Sequence, residues 1–75
     1  MYTTAVVQKE VQTLLTNQEK KVIALIADGY SSKQIAHQLY ISEHTVVNHR
    51  KNMLYKTRTK NVAELVAFVI RNEVI

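Results

Sequence analysis

A short interruption between two helical patterns constrains this chain more than any other feature. The segment 32–39 has apolar residues at helical spacing, and either of two serines at its start can serve as the N-cap. The break at 40–42 ends that period, and Ser42 can cap a longer helix over about 43–57. Two helices joined by so short a turn are typical of a helix-turn-helix.

A capping box marks the start of the folded domain. The hydroxyl of Thr16 can accept a hydrogen bond from the backbone of Glu19, while the Glu19 carboxylate reaches back to Thr16. The helix that follows is predicted to run to about Asp28, and Gly29 stands where a left-handed C′ residue is needed. We therefore place the domain at 15–75.

The use of glycine and proline favours an all-α fold. The 75 residues contain no proline and one glycine, so the chain lacks the residues that tight hairpin turns usually require. A fourth helix is predicted over about 62–72, after the pair that flanks the turn. The residues before the domain, 1–14, can form a linker or a short helical extension. We expect one all-α domain of four helices.

Apolar residues cover much of the circumference of the last predicted helix. One stripe, predicted to form a dimer interface, consists of Val62, Leu65, Val66 and Val69. Further apolar residues lie outside this stripe, so the core of a small domain can cover only one side of the helix. We predict a homodimer through this helix; the alternative is a helix fully absorbed by its own core.

Charge is concentrated in one part of the chain. The formal net charge is +4, and no acidic residue occurs between Glu43 and Glu64. The same interval contains Arg50, Lys51, Lys56, Arg58 and Lys60. Such a cluster predicts a polyanionic partner, against the alternative of an ordinary solvated face.

The helix over 43–57 divides into two faces at 100° per residue. Val46, Met53 and Thr57 share the face predicted to enter the core, with Arg50 at its edge. The opposite face carries the residues predicted to read bases, which are His44, Val47, Asn48 and Lys51. Asparagine can pair bidentately with adenine, lysine can donate to guanine, and an apolar side chain can touch a thymine methyl group. The predicted partner is double-stranded DNA.

A second set of residues is predicted to contact phosphate oxygens. It comprises Ser31, Ser32, Lys33, Thr45, Asn52, Lys56, Arg58 and Lys60. Hydroxyl, amide and cationic side chains near helix N-termini are suited to this role. Arg50 is expected to pack its methylene stem while its guanidinium reaches solvent or phosphate.

Other classes of site find little support in the sequence. His44 and His49 lie about 140° apart on one helix, so they cannot chelate a metal from one face. There is no cysteine, no glycine-rich phosphate loop and no nucleophile motif. We predict no metal, no cofactor and no enzymatic activity. No apolar run approaches the length of a membrane span, and we expect a cytoplasmic protein.

Five short motifs occur in order along the chain. They are LTxxE at 15–19, VIxLIAxGYS at 22–31, KQIA at 33–36, ISExTVxxH at 41–49 and MLxK at 53–56. Together they resemble the LuxR-type (NarL/FixJ, GerE-like) DNA-binding domain over roughly residues 13 to 72. The resemblance implies a four-helix transcription-regulating domain that dimerises through its last helix. It also implies an output role, often behind the receiver domain of a response regulator, and contact with RNA polymerase fits such a role.

Three features depart from the pattern of that family. The residue after Thr45-Val46 is usually lysine and is Val47 here. The lysine-leucine pair that ends the third helix is Lys56-Thr57, and the glycine-valine pair that follows is Arg58-Thr59. These departures alter a frequent DNA contact, a core contact and a turn.

Two alternatives remain open from the residues alone. The apolar last helix would also suit a helical protein-interaction module, in which Asn48 and Lys51 have no role. A promoter-recognition domain of a sigma factor also ends in a helix-turn-helix and would bind core RNA polymerase.

Overall fold

The computed structural model describes residues 13–75, which form four helices. They are α1 (Asn17–Ala27), α2 (Ser32–Leu39), α3 (Glu43–Thr57) and α4 (Val62–Arg71). The predicted all-α, four-helix architecture is confirmed. The extension predicted over 1–14 lies almost wholly outside the described residues.

Each helix begins at a polar side chain that satisfies a free backbone N–H group. In α1 the capping box is complete, with Glu19 N–H donating to Thr16 Oγ1 at 3.1 Å and Thr16 N–H donating to Glu19 Oε1 at 2.9 Å. Ser31 rather than Ser32 caps α2, and Ser42 caps α3 as predicted. Asn61 caps α4 by accepting from the N–H of Glu64 at 2.9 Å.

A left-handed residue stands at or just after the end of each of the four helices, and after α4 it is Glu73 with φ 56°. Gly29 follows α1 with φ +95°, as its position predicted. Tyr40 ends α2 and Arg58 ends α3, each with φ 56°. A side chain with a Cβ is strained in this region, by roughly 1–2 kcal/mol for most residues. The chain therefore carries strain at both ends of the segment that contains α3.

The core lies where all four helices meet. Its fully buried members are Val22, Ile23, Ile35, Val46, Met53, Leu65 and Val69, with Leu15 and Ala36 nearly so. Side chains from α3 and α4 thus pack against α1 and α2, which sets the position of α3 relative to the rest. The residue in place of the family's leucine, Thr57, is half-buried and donates its hydroxyl to the carbonyl of Met53 at 2.7 Å.

The burial of α4 corrects part of the predicted dimer stripe. Leu65 and Val69 are fully buried in the monomer's own core, which contradicts their predicted place in a dimer interface. Val62 and Val66 are half-buried and remain accessible at the edge of that core. The error arose because apolar residues occupy more than half of this helix, so their spacing does not identify the buried side.

Candidate nucleic-acid interface

The outward side of α3 is an exposed polar stripe. Its core side is anchored by Val46 and Met53, both fully buried. The exposed side chains on the other side are His44, Asn48, Lys51, Asn52 and Tyr55. Val47 is half-buried at the edge of this stripe. The structure therefore brings the four predicted base-reading residues onto one side of one helix, with Val47 the least accessible.

A hydrogen bond between α2 and α3 links the two halves of the helix-turn-helix. Arg50 Nη1 donates to Ser32 Oγ at 2.8 Å, and both side chains are partly buried. One nitrogen of the guanidinium is thus bonded inside the domain, to a partner that the sequence did not predict, while Arg50 as a whole is half-buried. Because the bond joins the start of α2 to the middle of α3, it restricts the tilt of α3. In the sequence, the only indication of this structural role was that Arg50 falls at the edge of the core face of α3.

An ion pair ties the C-terminal end of α3 to the start of α1. Lys56 Nζ donates to Glu19 Oε1 at 2.7 Å, and the side chains of Lys56 and Glu19 are 31% and 3% exposed. Burial raises the pKa of Glu19, but the hydrogen bonds from Lys56 and from the Thr16 backbone, with the charge of Lys56, outweigh it. The pKa of Glu19 therefore lies below its usual value.

The Glu19 ion pair changes the role expected of Lys56. Its ammonium was predicted to contact phosphate, yet it is engaged inside the domain by a carboxylate that already caps α1. Releasing it to a phosphate would leave the buried Glu19 charge without its partner, which is costly. Lys56 therefore has a structural role, joining α3 to α1, that its sequence position did not predict.

The start of α2 presents three of the predicted phosphate-contacting residues. Ser31 accepts from the N–H of Gln34 at 3.2 Å, and Ser32 accepts from Arg50, so both hydroxyls keep a hydrogen to donate. Lys33 is exposed beside them. These three polar groups therefore lie at the N-terminal end of α2, the helix before α3 and its exposed polar stripe.

The two ends of α3 carry the remaining predicted phosphate contacts. At the N-terminal end, Thr45 Oγ1 lies 2.8 Å from Ser42 Oγ, so one of these two hydroxyls donates to the other. At the C-terminal end, Arg58 and Lys60 are exposed. Asn52 is exposed on the flank of the stripe.

Residues 13–75 show neither a candidate metal cluster nor a candidate membrane span. Those residues contain no group of three or more histidine, cysteine, aspartate or glutamate side chains placed to hold a metal ion. None of the described helices has the length and apolarity needed to cross a membrane.

The chain matches known proteins over nearly all of its described part. The matching family model is described as bacterial regulatory proteins of the luxR family and covers residues 13–69. Transcriptional regulatory protein DegU of Brevibacillus brevis is 42% identical over 59 residues, which are 79% of this chain and 25% of that protein. Oxygen regulatory protein NreC of Staphylococcus carnosus is 32% identical over 62 residues, 83% of this chain and 29% of that protein.

A third relative is described as an uncharacterized response regulatory protein, YgeK of Escherichia coli. It is 40% identical over 57 residues, 76% of this chain and 39% of that protein. The chain thus spans between 25% and 39% of the length of these three relatives.

Proposed function

This chain belongs to the luxR family of bacterial regulatory proteins, and we propose that it is the DNA-binding output domain of a response regulator. The observation that carries the proposal is the outward stripe of α3, which is polar, exposed and free of acidic groups beyond Glu43. A helix of this kind, held on a rigid core, fits the major groove of B-form DNA. The names of the relatives, two of them regulatory and one response-regulatory, support this role.

The proposed base contacts follow from the chemistry of the stripe. Asn48 pairs with an adenine edge, and Lys51 donates to the acceptors of guanine. Val47 touches a thymine methyl group from the edge of the stripe, and His44 contacts a base near the N-terminal end of α3. Because Asn48 and Lys51 are exposed and carry directional hydrogen-bonding groups suited to base edges, they should contribute most of the sequence preference.

The proposed phosphate contacts flank the base contacts on both sides. Ser31, Ser32 and Lys33 meet one strand at the start of α2, with Thr45 beside them at the start of α3. The exposed cations at the far end and the amide on the flank meet the backbone beyond the bases, and these are Arg58, Lys60 and Asn52. Lys56 is excluded because its ammonium is bonded to Glu19.

The proposed dimer interface is the exposed apolar arc of α4. At 100° per residue, the arc next to the buried side carries Val62, Val66, Ile70, Ala63 and Ala67 in that order. Ile70 is 57% exposed although it is a large apolar side chain. An apolar arc of this width on a basic domain is best covered by the same arc of a second copy. Leu65 and Val69 lie on the buried side of α4 and take no part in this interface.

The role within a longer protein is also part of the proposal. The chain spans at most two fifths of its relatives, so we place a receiver or sensor domain before it. Contact with RNA polymerase remains a prediction to which no residues are assigned. The domain works by binding and has no catalytic step, and its DNA target places it in the cytoplasm.

A titration with salt tests the proposal most directly. A duplex is first selected from a random DNA pool by the domain itself. Four exposed cations are proposed at or near the DNA, namely Lys33, Lys51, Arg58 and Lys60. Neutralising about four phosphates predicts a log–log slope of affinity against salt of roughly −3.5. A slope near zero, or a pool in which no sequence is enriched, would contradict DNA reading and favour the protein-interaction module.

A further inference from the structure

Tyr55 is an exposed aromatic residue to which the proposed DNA contacts assign no role. Its side chain is 86% exposed, whereas tyrosine usually buries its ring and leaves only the hydroxyl in water. It lies at the centre of the outward stripe of α3, four positions after Lys51 and seven after Asn48. An exposed ring at this place does not stabilise the core, and unlike the still more exposed Tyr40 it lies on the side of α3 that is proposed to face DNA.

The distance along α3 places Tyr55 beyond the bases. At about 1.5 Å per residue it lies roughly 16 Å along the axis from His44 and 6 Å from Lys51. Recognition helices contact base edges with their N-terminal residues, and the major groove is about 12 Å wide. The C-terminal part of α3 therefore leaves the groove and approaches the phosphate wall.

The surroundings of Tyr55 are electropositive. Tyr55, Arg58 and Lys60 line one groove at the C-terminal end of α3. The other cation of that groove, Lys56, is neutralised by Glu19, which leaves Arg58 and Lys60 as its exposed charges. Arg58 is retained there in a left-handed conformation that glycine would adopt without strain. Strain of this kind is common where a side chain is needed for function.

We propose that Tyr55 is a DNA-contacting residue whose phenolic O–H donates to a phosphate oxygen at the groove wall, between the phosphates neutralised by Arg58 and Lys60. This inference rests on the proposed function. Tyr55, Arg58 and Lys60 then contact the DNA backbone on one side of the bases. The residues at the start of α2, which are Ser31, Ser32 and Lys33, contact it on the other side. Tyrosine is among the side chains that commonly bond phosphate in this way.

The experiment compares two single-atom changes at exposed tyrosines. Tyr55→Phe removes the phenolic oxygen and keeps the ring, and Tyr40→Phe does the same at a tyrosine that is 94% exposed but outside the stripe. Affinity for the selected duplex is expected to fall roughly fivefold for Tyr55→Phe and by less than about 1.5-fold for Tyr40→Phe. A neutral donor releases no counterion, so the salt slope should not change, whereas Arg58→Gln should reduce its magnitude by about 0.9.

A scan with methylphosphonates identifies the contacted phosphate. At one position, a methylphosphonate in the duplex should lower the affinity of the wild-type domain about as much as Tyr55→Phe does. The same methylphosphonate should not lower the affinity of the Tyr55→Phe variant any further. The inference is overturned if Tyr55→Phe binds like the wild type, if Tyr40→Phe weakens binding equally, or if no phosphate shows this coupling. A loss seen for Tyr55→Ala alone would assign a ring contact instead and would also overturn it.

The outcomes separate this inference from the proposed function. A wild-type domain that binds its duplex with a steep salt slope, beside a Tyr55→Phe variant of equal affinity, refutes only the phenol contact. A wild-type domain that enriches no duplex refutes DNA reading and the contact of Tyr55 with it.

Discussion

The helices α3 and α4 both bury one side in the same core, but they are fastened differently and expose different chemistry. α3 is fastened by buried apolar side chains and by two directional bonds, Arg50 to Ser32 and Lys56 to Glu19. The hydrogen bonds at the ends of α4 join residues of its own segment, such as Asn61 to Glu64 and Asn72 to Phe68. The exposed side is polar and basic in α3, whereas in α4 it is mainly an apolar arc, bordered by Glu64 and Arg71.

This difference indicates what each helix has to do. A helix that reads bases must be held at a defined tilt, because hydrogen bonds to base edges tolerate little displacement. Bonds near its middle and its end restrict that tilt. Contact between apolar surfaces is not directional, so a helix that offers an apolar arc to a second copy does not need an exact tilt. Burial of its other side in the core is enough to hold it in place.

The largest expected effect separates the two sides of α4. Leu65→Ala should lower the free energy of unfolding by about 3 kcal/mol, because it opens a cavity in the core. Ile70→Ala should change it by less than about 0.5 kcal/mol while weakening self-association. Urea denaturation and sedimentation measure the two quantities. Equal stability of the two variants would show that the buried side of α4 is assigned wrongly.

The next effect tests the fastening of α3 to α1. Glu19→Gln should lower the free energy of unfolding at pH 7 by about 2 kcal/mol, since it removes one charge of a largely buried pair. The folded pKa of Glu19 is lowered, so its contribution is present above the unfolded pKa of about 4.3. It is lost as the pH falls through the lower folded value.

Denaturation curves recorded from pH 7 to pH 3 measure this dependence. The gap in stability between the wild type and Glu19→Gln should narrow as the pH falls. Glu43→Gln is the control, because Glu43 is exposed in the first turn of α3 and should contribute at most about 0.5 kcal/mol there. A gap between wild type and Glu19→Gln that stays constant with pH would rule out the charge of Glu19 as its source.

The third effect tests the exposed stripe of α3 with two asparagines. Asn48→Ala should cost about 1–3 kcal/mol of binding to the selected duplex and relax its sequence preference at one base pair. Asn52→Ala should weaken binding more evenly across sequences, because its proposed contact is with phosphate. Both variants should unfold like the wild type. Selection from a random DNA pool with each variant distinguishes the two patterns, and identical selected sequences would refute base reading by Asn48.

The smallest effect concerns the strained residue that ends α3. Arg58→Gly should stabilise the domain by about 1 kcal/mol, because glycine adopts the left-handed conformation without a Cβ clash. It should also weaken DNA binding, since a phosphate-facing cation is lost. Tyr40→Gly relieves the same strain at the end of α2, so it should stabilise the domain without changing its affinity for DNA. Thermal unfolding and duplex titration measure both, and a destabilised Arg58→Gly would mean that the arginine side chain contributes to the fold.

Much of the architecture was predictable because its signals are local. Caps at Thr16 and Ser42 and the left-handed Gly29 depend on residues within one helical turn, so short motifs identify them. The two faces of α3 were also readable from their central residues, while Arg50 lies at the edge of the core side and Val47 at the edge of the polar stripe. Val46 and Met53 entered the core as expected, and His44, Asn48 and Lys51 are exposed.

The sequence by itself determined that four helices form, three of them with recognisable caps, and that α3 carries an exposed polar stripe, since periodicity and capping act within a few residues. Only the tertiary structure decided which arc of α4 is buried, because apolar residues on most of its circumference make several orientations equally compatible with the pattern. It also decided that Lys56 pairs with Glu19 and Arg50 with Ser32. Those partners are 37 and 18 residues apart, and no local rule brings them together until the core has set the helices in place.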